Sequence, residues 1–371
     1  MGESCCVSLG AAGTTLRIAG GRRSVRPIFT VIMLVWATVV SGPNVALADE
    51  GGVSFWLPGL YGSLAAVPQQ PGWSFANIYY HATVSAGGDV AAARQFSIGA
   101  FTRTAIVDLN ASVHGRADLD FVTVSYVFAP AVLGGQLAIG LAGAAGHNSS
   151  SIDGTLTASV GNFTATRTGS ISDERFGFAD LFPTASLRWN SGVNNFMVYM
   201  TGNIPVGTYD STRLANFGLG HGSIDGGVGY TYFNPQTGHE FSVVTGLTGN
   251  FVNSSTNYQN GIDWHLDWGA SQFLTKQWQI GAVGYFYKQL TGDSGAPLIL
   301  GANESQVIAV GPQLGYLFPV GNMQGYLNLK AYWEFDAERR ASGWNTWLTF
   351  AISPAAPPAA EPPPKSPLLH K

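Results

Sequence analysis

Asp263, His265 and Asp267 stand at i, i+2 and i+4 in IDWHLDWGASQF (262–273). In a β-strand these positions share one face, because successive side chains alternate. Two carboxylates and an imidazole on one face have two readings: a cation-attracting or metal-binding patch, or a hydrated lining paired with basic residues elsewhere. Same-face neighbours on one strand sit nearly 7 Å apart, roughly twice the ~3.3 Å rise per residue. That is too far for shared ligation unless other strands contribute, so the lining is the expectation and no metal is assigned. A second set of this kind lies in QGYLNLKAYWEF (324–335). Here Tyr326, Asn328, Lys330, Tyr332 and Glu334 alternate with Leu327, Leu329, Ala331, Trp333 and Phe335. Arg188 occupies the same polar face in FADLFPTASLRW (178–189). Opposed charges facing one another across a lumen would fix its width and field. Tyrosines on such a face, including Tyr199, Tyr285 and Tyr287, would offer stacking surfaces to an aromatic solute or pack the wall.

These residues need strands to position them, and the chain has many. FSVVTGLTGNF (241–251), NNFMVYMTGNI (194–204), SIDGGVGYTYF (223–233) and WNTWLTFAI (344–352) all alternate apolar with polar residues. Trp264, Trp268, Trp333, Trp344, Tyr230 and Tyr232 fall on the apolar faces. The connections sort by length. NSGV (190–193), NPQTG (234–238), TK (275–276) and VGN (320–322) are tight, whereas 205–222, 253–261, 291–303 and 336–343 are long and polar. Short turns at one end and long loops at the other are the pattern of outer-membrane barrels. The fold expected is all-β: a transmembrane antiparallel up-and-down β-barrel of twelve strands, with fourteen as the alternative.

Composition agrees. Charged residues are 11%, against about 25% in soluble domains. The mean hydropathy is slightly positive, as expected of a wall that meets lipid at every second residue. A net charge of −4 gives no basis for a nucleic-acid partner.

Arg22, Arg23 and Arg26 precede a 13-residue apolar run, Ile28 to Val40, and Ala46-Leu47-Ala48 forms a small-x-small site. This reads as a signal peptide over 1–48, exported through the Sec pathway, with the mature chain starting at Asp49. Cys5 and Cys6 would leave with it. Residues 49–72 form an N-terminal segment that is a candidate plug, extending towards Trp73 on the twelve-strand count. Residues 73–352 are the barrel, and 353–371 a Pro/Ala-rich disordered tail. Between 85 and 135 the alternation breaks. GRAD (115–118) is read there as a turn, and 148–175 as the longest external loop, with room for a hairpin of its own.

The stretches NIPVGTYD (203–210), LANFG (214–218), LDWGASQF (266–273), WQIGAVGYFYKQLTGDSG (278–295), GPQLGYLF (311–318) and AYWEFDAERRASGWNTWLTF (331–350) resemble the outer-membrane proteins named for the meta-pathway of phenol degradation. The resemblance covers most of the mature chain. It implies a barrel in the bacterial outer membrane, assembled by the barrel-assembly machinery, that passes small hydrophobic or aromatic compounds. The chain departs from the usual barrel ending, because Phe350 is followed by 21 further residues.

Pro205, Gly207, Tyr209 and Asp210 close a strand into a long loop, read as a constriction or as a turn without solute contact. No G-x-S-x-G, H-E-x-x-H or phosphate-loop motif occurs, and no cofactor is expected. The function expected is a passive channel for small hydrophobic or aromatic solutes. The alternatives are a structural or adhesive barrel with a plugged lumen, and an outer-membrane hydrolase using His265 with Ser271 or Ser242.

Overall fold

The computed structural model describes residues 54–98, 101–160, 163–295 and 304–356. Its strands are β1 (Gly72–Ile98), β2 (Phe101–Val132), β3 (Gly135–Val160), β4 (Phe163–Phe178), β5 (Phe182–Ser191), β6 (Asn194–Asn203), β7 (Ser223–Phe233), β8 (His239–Asn250), β9 (Tyr258–Gln259), β10 (Asp263–Phe273), β11 (Trp278–Gln289), β12 (Ser294–Gly295), β13 (Gln306–Val320), β14 (Met323–Glu338) and β15 (Ser342–Pro354). Twelve close into an antiparallel barrel: β1 pairs with both β2 and β15, β3 follows β2, and β5 to β8, β10, β11, β13 and β14 complete the ring. Closure leaves the twelve-strand ring without a free edge, as a wall in lipid requires, while beyond the ring residues 86–98 of β1 and the strand β4 (Phe163–Phe178) pair on one side only.

β4 is the thirteenth strand of the sheet. It pairs with the outer length of β3, from Ala145↔Phe178 to Val160↔Phe163, whereas β5 pairs with the inner length, from Gln136↔Arg188 to Ala142↔Phe182. β4 and β5 are therefore two halves of one wall strand, broken at Ala179, Asp180 and Leu181.

The alternation decides which side each residue meets. Leu327, Leu329, Trp333 and Phe335 are 41–58% exposed on the outer face, while Asn328, Lys330 and Tyr332 are buried on the inner one. Aromatic pairs gather at the short-turn end: Trp73–Tyr126, Trp278–Tyr316, Phe196–Tyr230 and Phe233–Phe273. This is the interfacial belt of a membrane barrel.

Three expectations need correction. Gly115, Arg116, Ala117 and Asp118 lie inside β2, paired on one side with residues 81–84 and on the other with residues 147–150. The composition suits a turn, but both neighbouring strands offer complete ladders. The outer face there is polar, with Asn77, Tyr79, His81, Arg116, Asp118 and Asp120 bonded to one another, so no hydropathy contrast marks the strand. Residues 148–175 are mostly strand rather than loop, and the outer parts of β3 and β4 form the hairpin for which that stretch has room. The connection expected at 336–343 shrinks to the three residues between β14 and β15. Trp73, where the barrel is expected to begin, belongs to β1 and is 66% exposed. Residues 1–53 and 357–371, with the expected signal peptide and most of the expected tail, lie outside the described residues.

Candidate functional site

The inner wall holds a strand-free stretch of the chain's own N-terminal region, SFWLPGLYGSLAAVPQQP (54–71). Seven wall strands reach it with hydrogen bonds. The Gly59 and Tyr61 N–H groups donate to Asp267 Oδ1 and Oδ2 on β10, at 3.0 and 3.1 Å. Leu64 N–H donates to Glu240 Oε1 on β8 at 2.9 Å, and Ala66 N–H to Thr231 Oγ1 on β7 at 3.0 Å. Lys330 Nζ on β14 donates to the Gly59 and Leu60 carbonyls at 2.6 and 3.0 Å. Gln313 on β13 donates to Ser63 Oγ, Arg188 on β5 to the Ala65 carbonyl, and Gln136 on β3 both donates to and accepts from the Gln69 backbone. A segment contacted from β3, β5, β7, β8, β10, β13 and β14 must run through the barrel interior.

The grip falls mainly on main-chain groups. A strand-free segment inside a barrel has no ladder to satisfy its N–H and C=O groups, and each one left unpaired costs about 1–3 kcal/mol. Polar side chains of the wall, among them Asp267, Glu240, Lys330, Thr231 and Gln136, supply the missing partners. Two glycines permit the approach. Gly59 has φ +90°, and a Cβ there would lie 2.9 Å from the Tyr332 ring. Gly269 faces inward on β10, where a Cβ would meet the Ser63 nitrogen at 2.7 Å.

The residues singled out from sequence divide into distinct groups. Asp263, His265 and Asp267 share a face and are all fully buried, yet do three different things. Asp263 accepts from Asn250 Nδ2 at 2.9 Å. His265 Nε2 lies 2.9 Å from Asp225 Oδ2, and Asp267 holds the N-terminal segment. No shared ligation links them. Lys330 and Glu334, expected as opposed lumen charges with Arg188, have separate partners. Glu334 accepts from Tyr285 OH (2.7 Å) and from Gly343 N–H (2.8 Å), and Arg188 donates to Ser186 Oγ (2.8 Å). Tyr332 OH donates to the Gly59 carbonyl, Tyr326 OH to Gln279 Oε1, and Asn328 Nδ2 to the Leu314 carbonyl.

Two aromatic clusters flank the segment. One joins Tyr285, Tyr287, Val283, Val307, Tyr332 and Trp347, with Leu57 packed against it. The other joins Trp56, Tyr199, Met197 and Val244, with Tyr61 against it. Sequence reading did not single out Trp56, Trp347, Asp225 or Glu240 as site residues. For the three wall residues the signal exists: Trp347 shares a face with Asn345, Asp225 with Ser223, and Glu240 with Ser242. Trp56 lies outside any strand, where no periodicity marks it.

Pro205, Gly207, Tyr209 and Asp210 lie in the 204–222 loop, which runs beside β4 where β6 has ended. Phe178 and Thr208 exchange hydrogen bonds, and Arg213 pairs with Asp173. The fixed point is buried Asp180 at the wall-strand break. It accepts from Asn203 Nδ2 (2.7 Å), Gly207 N–H (2.8 Å) and Leu219 N–H (3.2 Å). Tyr209 OH accepts from Asn253 Nδ2 at 2.8 Å, tying the loop to the connection after β8. Asp210 Oδ1 accepts from Thr212, an internal loop contact.

A closed twelve-strand barrel with an apolar outer belt, an aromatic girdle and a polar-aromatic interior has the architecture of an outer-membrane β-barrel. Residues 79–350 match the family model described as putative MetA-pathway of phenol degradation. The chain belongs to that family. Among solved structures it is similar to an outer membrane channel from Pseudomonas putida F1, with 12% identity, a TM-score of 0.55, and 80% of this chain and 100% of the other covered. At that identity the likeness concerns the fold. A Pseudomonas aeruginosa FadL homologue aligns at 9% identity and a TM-score of 0.37, over 84% of this chain and 99% of the other. None of the curated proteins matches the chain by sequence.

Proposed function

We propose that this protein passes small hydrophobic or aromatic compounds passively across the outer membrane, and that residues 54–71 act as a movable plug in its lumen. The observation that carries the reading is the lumen lining. Tyr199, Tyr285, Tyr287, Tyr332 and Trp347 are all buried on the inner wall, against a segment anchored by hydrogen bonds rather than by strand pairing. A stable structural core has little need of so many hydroxyl-bearing rings. A path for aromatic solutes does, because such rings give stacking surface and a polar handle together. In this reading Asp267, Lys330, Glu240 and Tyr332 hold the plug. Asp263, His265, Asn328, Tyr326, Glu334 and Arg188 line the path once it moves. Pro205, Gly207, Tyr209 and Asp210 shape its outer end. Export through the Sec pathway with cleavage before Asp49, and insertion by the barrel-assembly machinery, complete the proposal.

The test compares the mature chain with a variant lacking residues 54–66, each in liposomes. Swelling rates are measured with benzyl alcohol, benzoate, hexanol and a pentose. The expected result is faster entry of the aromatic and aliphatic solutes than of the sugar, and faster entry of all in the deletion. The occupied lumen also favours a second reading, a structural barrel with no transport. Absence of permeation by either protein, with both shown to be folded, establishes that reading and removes the first.

A further inference from the structure

The Trp56 indole is the most enclosed ring of the N-terminal segment, 2% exposed. It lies flat on His265, with ring centroids 3.6 Å apart and planes 13° from parallel. Tyr61 stacks on it at 5.9 Å and 26°, and Tyr199 closes a third side at 6.0 Å and 34°. Tyr61 and Tyr199 also pack on each other at 5.8 Å. His265 is held in place by Asp225, whose Oδ2 lies 2.9 Å from Nε2 and accepts from Thr248 Oγ1 at 2.6 Å. Tyr199 OH is 3.3 Å from the same Nε2. The wall thus presents a flat platform, His265 with Tyr199 at its side, and a planar ring is seated on it with Tyr61 of the same segment stacked beside it.

The polar atoms of this cage are incompletely used. Trp56 Nε1, His265 Nδ1 and Asp225 Oδ1 are buried, and none has a hydrogen-bond partner among the described residues. Buried polar groups without partners are uncommon, since each one costs free energy. Here a donor, an acceptor and a ring nitrogen of either role occur in one cluster. Packing alone explains the stacked ring. It does not explain why the platform carries spare hydrogen-bonding capacity that the seated indole leaves unused.

We infer that the His265–Tyr199–Asp225 platform is a binding site for a planar aromatic solute bearing a hydroxyl or N–H group, and that Trp56 is its built-in competitor. The solute replaces the indole on the face of His265 and offers its polar group to atoms that Trp56 leaves unpartnered. Displacement of Trp56 detaches the start of the N-terminal segment, so solute binding and plug release become one equilibrium. The coupling is reciprocal: whatever loosens the segment raises affinity for the solute by the same factor. This inference rests on the reading of residues 54–71 as a movable plug, and it adds where the solute binds and what chemistry it needs.

The test uses indole, the side chain of Trp56 itself, and a neutral saturated bicyclic ring of similar size, decahydro-2-naphthol, as probes. Binding is measured by calorimetry on the detergent-solubilised mature chain. In Trp56→Ala the cage is vacated, and indole should bind at least tenfold more tightly than to the wild type. It should bind roughly two- to tenfold more tightly than the saturated ring, the worth of an aromatic pair beyond its area. Trp56→Ala/His265→Leu should lose the preference for the flat ring. Equal indole affinity in wild type and Trp56→Ala, or no preference over the saturated ring, overturns the inference.

If Trp56→Ala does not assemble, the wild type decides through hydrogen exchange of residues 54–66. Near-saturating indole should speed that exchange several-fold, and an unchanged rate overturns the inference. The outcomes separate from those of the channel test. Indole binding to Trp56→Ala with no permeation in liposomes keeps the site and removes the channel. Permeation without ring-selective binding does the reverse.

Discussion

Replacing Asp267 by alanine isolates one hold on the N-terminal segment, a single side chain that takes two main-chain groups. The carboxylate is 1% exposed and accepts two main-chain N–H groups, from Gly59 at 3.0 Å and Tyr61 at 3.1 Å. Hydrogen bonds to charged groups contribute about 1.5–3 kcal/mol each, so the pair is worth about 3–6 kcal/mol. The exposure is too small for solvent to screen this much. Alanine supplies no acceptor, and the two N–H groups stay unsatisfied while the segment is docked. At 1.4 kcal/mol per tenfold, the ratio of detached to docked segment should rise by roughly 10²–10⁴. The change stays local, because Leu64, Ala66 and Gln69 keep their own partners. Hydrogen exchange in detergent reads this directly: amides 59 and 61 should lose protection by that factor, while amides of β10 and β11 keep theirs. Asp267→Asn retains one acceptor oxygen and should fall between the two on a logarithmic scale. In planar bilayers Asp267→Ala should open more often than the wild type. Protection at amides 59 and 61 within threefold of the wild type would refute the claim that the wall carboxylate holds the segment.

Three further changes probe other parts of the molecule. Leu329, 46% exposed on the outer face of β14, should cost about 2–4 kcal/mol when changed to Arg if it lies near the bilayer centre, read as a lower urea midpoint in vesicles. Gly269→Val should displace residues 62–63 with the barrel still folded, since the new Cβ would stand 2.7 Å from the Ser63 nitrogen. Ser63 and Ser271 touch through their hydroxyls at 3.2 Å, so a disulfide that forms in Ser63→Cys/Ser271→Cys and is lost on adding Gly269→Val reads the shift. Asp180→Ala removes the acceptor for Asn203, Gly207 and Leu219 and should speed proteolytic cutting within 204–222 at least tenfold, whereas an unchanged rate would mean that β4 alone holds the loop.

The fold is legible where one face is apolar over eight or more residues. In β10 and β14 the alternation fixes the strand, its faces and its solvent together, because lipid tolerates few errors of register. The tight turns at 192–193, 234–238 and 321–322 follow from Gly, Asn and Pro chemistry. Legibility fails at Gly115–Asp118 for a physical reason. There β1, β2 and β3 carry polar residues on their outer faces, and a strand polar on both sides has no period-two signal to distinguish it from a loop. The break between β4 and β5 is hidden in the same way: only Asp180, buried and satisfied by three partners, marks it, and a lone Asp beside Phe178 reads as a turn residue.

The site was harder to read than the wall because an inward polar face has two meanings. It can mean water, or it can mean a second piece of chain that needs hydrogen-bond partners. Lys330 illustrates the ambiguity. Its place opposite Leu329 says only that it avoids lipid. It reads equally as a lumen charge, yet its ammonium is spent on the Gly59 and Leu60 carbonyls. Asp267 spends its charge on the N–H groups of the same turn. A segment held by carbonyl and amide contacts leaves almost no trace in its own side chains, so its sequence looks like a loop. The informative mark lies on the wall instead: charged inward residues at Asp267, Lys330 and Glu240 with no opposite charge bonded to them among the described residues. In a water-filled barrel, charges on neighbouring strands tend to pair or to be hydrated. Buried inward charges whose partners are main-chain groups belong to a barrel whose interior is filled by its own chain.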